Sequence, residues 1–231
     1  MAILNMAQAP QYYTDNEEKA KRLVADLQAL CRIESDAEQA RLTKFNIYNY
    51  VSKDKGRPNM CGVYHCNGRK VASDLSMLVV LEETYADNLE GKIMLKNGRS
   101  VEEEFGYKNP YPKYESVFST KEPESVVKID FNSLPSVFNK AKMNMKINKV
   151  EQYVEFIVPK DGQDTSIYFK CDSFKKLVEF MKYINTDEIK MYPSTSRVEV
   201  SSNKGKGILM ASRISHKDED NIHEIKYLKV Q

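Results

Sequence analysis

The chain has 231 residues, room for one large domain or two small ones at about 100 to 200 residues each. Hydrophobic residues at 41% and charged ones at 29% are ordinary globular usage, which excludes wholesale disorder and low-complexity or collagen-like chains. Thirty-five basic side chains against 33 acidic ones leave a formal charge of +2, so a globally basic nucleic-acid binder is excluded and any charge argument is local. The longest apolar run, Met77 to Leu81, is far short of the roughly 20 residues of a membrane span, and Met1 to Tyr13 lacks the basic start of a secretory signal. The reading is a cytoplasmic, folded protein whose four cysteines (Cys31, Cys61, Cys66 and Cys171) stay reduced.

Residues 1–13 read as an arm. Thr14-Asp15-Asn16-Glu17 fits a capping box and predicts a helix over 16–33, with Leu23, Val24, Leu27, Leu30 and Cys31 on one face and Lys21, Arg22 and Arg32 opposite. Ser35 to Val51 suits a second helix or a strand. From Asn59 the pattern turns to period two: Gly62 to Cys66, an Asn67-Gly68 turn and Lys70 to Ser73 predict a hairpin. Strands at Leu78 to Leu81 and Lys92 to Leu95 follow, the second closed by Asn97-Gly98. Tyr107 to Pro123 carries three prolines among polar residues, which is linker composition, and a boundary is placed at 122/123.

Beyond the boundary the order is a strand at Val126 to Asp130, then a helix opened by Ser133 and Pro135 with Leu134, Val137, Phe138, Ala141 and Met145 inward. Strands at Tyr153 to Val158 and Ser166 to Phe169 lead to a helix capped by Asp172 or Ser173, with Phe174, Leu177, Val178 and Met181 inward. Strands at Glu188 to Tyr192, Arg197 to Ser201 and Gly207 to Ser212 complete it. This order predicts an α+β fold with helices on one face of an antiparallel sheet. The predicted units are 14–122, 123–214 and an extension over 215–231.

The chain carries no phosphate-binding glycine loop, nucleophile elbow or dinucleotide fingerprint. Cys61 and His65 share one strand face while Cys66 faces away, and no further pair completes four metal ligands. Glu102-Glu103-Glu104 and Asp218-Glu219-Asp220 read as exposed loop and tail. The expectation is a protein that is not an enzyme, with no cofactor and no metal.

Four stretches carry a family resemblance. Met60-Cys61-Gly62-Val63-Tyr64 with Arg69-Lys70-Val71-Ala72-Ser73-Asp74 resembles the hairpin leading into the Ala-Thr-Asp-Gly-His-Arg-Leu loop of the bacterial DNA sliding clamp, the DNA polymerase III beta subunit. Tyr111-Pro112-Lys113-Tyr114-Glu115-Ser116-Val117-Phe118 resembles the segment closing that family's second domain. Ser166 to Phe169, Leu177 to Met181 and Glu188 to Met191 resemble its last domain, and Ile208 to Ile214 is similar to its Met-Pro-Met-Arg-Leu ending. The chain departs from the family in four ways, one being an extension over 215–231 beyond the family's usual end. About 32 residues separate Leu78 from Tyr111, which implies a shortened first domain. Leu75-Ser76-Met77 replaces Gly-His-Arg, and Ala211 replaces the ending's proline.

The resemblance implies two clamp-like α+β domains, the first incomplete, in a replication or repair accessory protein. It implies that duplex DNA is held without sequence preference by basic helix faces, here Arg22, Arg32, Lys140, Lys146, Lys175, Lys176 and Lys182. It also implies an inter-domain apolar pocket that captures short peptide motifs of a DNA polymerase or other replication or repair proteins. Carried over, its lining is Met60, Ser73, Leu75, Met77, Leu78, Pro112, Val117, Ile208, Met210 and Ser212. Ring closure from two-domain chains implies a homotrimer. The alternative is an adaptor that binds such peptides without encircling DNA. A further expectation is that Ile222, Ile225, Tyr227 and Leu228 fold back into the pocket.

Overall fold

In the computed structural model the described residues are Lys19, Lys21 and Val24, together with 45–231 except 161–162, 215–220, 226 and 231. The chain divides by packing into residues 1–44 and 45–231. Within the first unit Lys19, Lys21 and Val24 are helical and exposed, including Val24, which the spacing placed on the apolar face. Arg22, Arg32 and the rest of the predicted 16–33 helix lie outside the described residues.

The second unit is α+β, as the pattern predicts. Its strands are β1 (Val63–Cys66), β2 (Arg69–Ser73), β3 (Met77–Leu81), β4 (Ile93–Met94), β5 (Ser125–Ile129), β6 (Tyr153–Lys160), β7 (Gln163–Lys170), β8 (Glu188–Tyr192), β9 (Arg197–Ser202), β10 (Gly205–Met210), β11 (Ile222–Glu224) and β12 (Tyr227–Val230). Its α-helices are α1 (Val101–Phe105), α2 (Leu134–Asn148) and α3 (Cys171–Ile184). A nine-stranded antiparallel sheet runs β12-β5-β8-β9-β10-β3-β2-β1-β4, and a three-stranded sheet runs β11-β6-β7. Strands from either side of residue 122 meet where β3 pairs with β10, Leu78 opposite Ile208.

Period two explains why the middle of the large sheet is apolar on both faces. Met77, Val79 and Leu81 of β3 enter a core shared with both long helices and both sheets, while Leu78 and Val80 enter a second core with Met60, Ile93, Tyr111, Tyr114 and Ile208. That is why Met77 to Leu81 is an unbroken apolar run. Phe174, Leu177, Val178, Phe180, Met181 and Ile184 recur at helical spacing and bury α3 in the first core. Gly207 makes room for the Phe180 ring, since a Cβ there would lie 2.9 Å from it.

Several local expectations are corrected. Phe45 and Asn46 are irregular, and Ile47–Tyr50 forms a 3-10 turn whose Asn46 side chain accepts from the Tyr48 N–H, so Ser35 to Val51 ends in neither long helix nor strand. Helix α3 has no side-chain cap from Asp172 or Ser173; it starts one residue earlier, and the Cys171 N–H donates to the Gln152 carbonyl. Glu102 to Glu104 is not loop but helix α1, closed by a Ser100–Glu103 capping box and left-handed Gly106. Ile222, Ile225, Tyr227 and Leu228 do not enter the pocket; they belong to β11, β12 and their junction, at sheet edges. Cys61, Cys66 and Cys171 are free thiols, and burial pushes Cys171 up to about 12, so it stays protonated.

Candidate functional site

The second core opens into an apolar cavity of about 170 Å³. Four chain segments build it. Met60 comes from the 3-10 turn Pro58–Met60, Ser73 ends β2, Leu75 and Ser76 form a loop, and Met77 and Leu78 begin β3. Tyr111, Pro112, Lys113, Tyr114 and Val117 come from the proline-bearing strap, and Ile208 and Met210 from β10. Nine of the ten residues assigned by resemblance thus line one cavity. The tenth, Ser212, does not: its N–H donates to the Tyr168 carbonyl at 2.7 Å, in an isolated bridge to β7. Tyr111, Tyr114, Ser76 and Lys113 were missed, although the quoted Tyr111-Pro112-Lys113-Tyr114 stretch held three of them.

The walls are held by polar contacts outside the apolar surface. The Ser76 carbonyl accepts from the Met210 N–H at 2.9 Å, tying the loop to β10. Asp74 Oδ1 accepts from the Ser76 and Met77 N–H groups, and the Ser73 hydroxyl accepts from the Leu75 N–H. Leu75 pays for this turn with a left-handed backbone, φ 78°. The strap is pinned at both ends: Asn59 Nδ2 donates to the Pro110 carbonyl, and Arg197 Nη1 donates to the Val117 carbonyl at 2.7 Å. Tyr64 stacks on Tyr111 with centroids 4.9 Å apart.

The floor is apolar and neutral. Met60, Met77, Leu78 and Ile208 are buried, and burial, the leading cause, pushes the Tyr111 and Tyr114 phenols upward so that neither ionises near neutrality. The rim is apolar and accessible, with Leu75 47%, Val117 40% and Met210 39% exposed. The cavity is smaller than the roughly 300 to 1,000 Å³ of small-molecule sites. Its chemistry is to accept one or two apolar side chains, with the flexible methionines adapting to their shape.

The basic positions are dispersed differently. Lys140, Lys146, Lys175 and Lys182 are exposed on α2 and α3, and Lys182 lies over the Phe131 ring. Residues 131–150 contain four lysines and no acid. Lys176 instead is half-buried, with its ammonium 2.9 Å from Asp74. Among the described residues no cluster of metal-ligating side chains occurs, and no helix is long and apolar enough to cross a membrane.

The cavity thus lies beside the β3–β10 seam of an α+β unit whose two long helices share a core with both sheets. Comparison with solved structures shows that this is the fold of bacterial DNA polymerase III beta sliding clamps. The Caulobacter crescentus clamp, solved with polyethylene glycol at its candidate beta-motif tethering region, matches 77% of this chain with a TM-score of 0.54 at 15% identity. Two Pseudomonas aeruginosa structures match similarly: a ligand-bound sliding clamp over 72% of this chain (TM-score 0.53, 13% identity), and the DNA polymerase III subunit beta over 77% (0.54, 12%). The matches span 64%, 62% and 65% of those chains, so this chain covers less than two thirds of a full clamp. No family profile and no curated protein matches the sequence.

Proposed function

We propose that this chain is a non-enzymatic, clamp-like accessory protein of DNA replication or repair that captures short apolar segments of partner proteins in the cavity at Met60, Leu78, Val117 and Met210. One observation carries the reading: residues assigned from four separate sequence segments converge on a single apolar cavity with an accessible rim and a buried floor. Apolar, methionine-rich pockets suit partners of varied sequence. The division into a shortened clamp-like unit to residue 122 and a full one from 123 to 214 belongs to the same proposal.

The test selects a displayed random heptapeptide library on the immobilised chain. Selected peptides carry apolar anchors and lose binding to Met210→Glu and Val117→Glu, both at exposed rim positions where the fold survives the change. Absence of enrichment, or equal binding to the two variants, sinks the reading.

Contact with duplex DNA is a second reading, favoured by the acid-free, lysine-bearing segment around α2. Anisotropy of a labelled duplex then falls with salt, and Lys140→Glu with Lys146→Glu weakens binding and flattens the salt slope by about two phosphates. An unchanged slope removes α2 from the interface.

A further inference from the structure

The start of α2 faces β11 across a second cavity of about 430 Å³, lined by Ser136, Val137, Lys140, Ile222 and His223. It shares no residue with the apolar cavity, and its volume falls within the roughly 300 to 1,000 Å³ of small-molecule sites. α2 begins without a side-chain cap from Ser133 and with no acid in its first turn, so the positive end of a 15-residue helix goes unanswered by its own side chains. The Ser136 hydroxyl donates back to the Ser133 carbonyl and adds no donor to the cavity. Lys140 follows one turn on and is exposed. Among the described residues the lining carries no carboxylate.

The opposite wall is a buried imidazole. His223 is 6% exposed, and its Nε2 lies 2.8 Å from Gln152 Oε1. Gln152 Nε2 donates to the Val150 carbonyl and to Asn221 Oδ1, each at 3.1 Å, which leaves Oε1 to accept. His223 therefore donates through Nε2, and its Nδ1 is bare when the ring is neutral and an N–H when it is charged. Among the described residues nothing bonds to that Nδ1, yet it is not shut away from solvent as the unbonded Nδ1 of His65 is. On its own sheet face the ring meets Val154 of β6, opposite it in register, with Phe156 and Phe169 beyond, all fully buried. From α2 it meets Lys140. Burial, and after it the Lys140 charge, holds the ring below its ordinary 6.5.

A lysine, an imidazole with a free nitrogen and the open positive end of a helix thus converge where no acid answers them, which is the chemistry of an anion site. We infer that this cavity binds a phosphate group, held by Lys140 Nζ and by the Nδ1–H of charged His223 at the start of α2. Two positive donors match a dianion, the state of a phosphate monoester or of inorganic phosphate above about pH 6. A backbone phosphate of a polynucleotide offers the same oxygens with one charge. The site does not depend on peptide capture. Bound phosphate favours the charged ring, so occupancy is read at His223 itself as a titration midpoint moved upward.

The test follows the His223 ring signal of the full chain by NMR as pH is lowered, in chloride and in inorganic phosphate at equal ionic strength. Phosphate raises the His223 midpoint and leaves that of His65 in place. Lys140→Gln, at an exposed position where the fold survives the change, weakens the phosphate response by about tenfold. Equal midpoints in the two salts overturn the inference. So does a rise that Lys140→Gln leaves undiminished, which is salt acting on the protein at large. A short duplex without terminal phosphates, added in chloride, separates the two sources. A raised midpoint shows that the site also takes backbone phosphates, and an unmoved one, with inorganic phosphate still effective, confines it to the small anion; either result supports the site.

Discussion

Asp74 Oδ2 and Lys176 Nζ lie 2.9 Å apart, joining the rim of the apolar cavity to helix α3 across 102 positions of sequence. The other oxygen of the same carboxylate accepts from the Ser76 N–H, the Ser76 hydroxyl and the Met77 N–H. One side chain therefore shapes the loop and fastens it to the helix beneath.

Asp74→Ala removes all of these bonds at once, and with each worth a net 1 kcal/mol or so the loss is about 2 kcal/mol, since part of the loop is solvated. Lys176→Met removes only a partly exposed ion pair and costs about 0 to 1 kcal/mol. Urea denaturation of both variants checks the order, and capture of a selected peptide weakens more in Asp74→Ala. Equal effects of the two changes would show that the loop does not depend on its own carboxylate.

Leu75 holds a left-handed backbone that costs an L-residue roughly 1 to 2 kcal/mol. Leu75→Gly relieves it, offsetting the entropy that glycine adds to the unfolded chain, so stability stays within about 0.5 kcal/mol of the parent while peptide capture weakens. Leu75→Val places a β-branched side chain in the same conformation and destabilises by about 1 kcal/mol or more. Paired denaturation and binding curves separate strain from contact.

Gly205 and Gly68 fail for different reasons. A Cβ on Gly205 would lie 2.4 Å from the Val80 carbonyl oxygen, in the ladder joining β10 to β3, so Gly205→Ala costs about 3 kcal/mol through overpacking of backbone. Gly68 has open space around it but φ 72° in the hairpin turn, and Gly68→Ala costs about 1 kcal/mol from conformation alone. Thermal unfolding distinguishes them, and similar losses at both sites would contradict the close approach of β10 to β3.

Acid weakens the fold through two histidines. Burial, with Lys140 adding to it, holds His223 below its ordinary 6.5; burial also leads at His65, where Lys70 adds and backbone hydrogen bonds and Glu90 oppose. The unfolded chain binds these protons more tightly than the folded one. Stability is therefore complete above about pH 6.5 and falls as pH drops through the lowered folded values. Tm measured at about pH 7.5 and about pH 5.5 should fall, and the fall should shrink in His65→Gln with His223→Gln. A fall of the same size in that variant assigns it to other groups.

Much of the fold was legible because its periodicities are strong. The α3 face from Phe174 to Met181, the Asn67-Gly68 hairpin and the strand Glu188–Tyr192 all follow from spacing and turn chemistry. The start of α3 was not, because its first N–H is satisfied by the carbonyl of Gln152, a partner 19 positions away that no local motif announces. Helix α1 carried its capping box in plain view at Ser100 and Glu103, but three consecutive glutamates outweighed it as a sign of exposed loop. β11 and β12 are too short to show a period, and what holds them is tertiary: the Tyr227 hydroxyl on Ile157 and the β5 ladder. The cavity lining came from family likeness rather than spacing, since its members alternate with core residues along the same strands. Lys176 shows the limit of helical-face arguments, which place a side chain outward without showing what awaits it there.

Capture of apolar side chains in the β3–β10 cavity has built-in reporters in the methionines. Met60 and Met210 line the cavity, whereas Met143 and Met145 lie on α2 and Met77, Met181 and Met191 belong to the main core. Methyl-labelled methionine spectra recorded while a selected peptide is added should show the Met60 and Met210 signals moving together, with Met143, Met181 and Met191 still. Binding that moves the α2 methionines and leaves Met60 and Met210 unchanged would contradict the assignment of this cavity as the capture site.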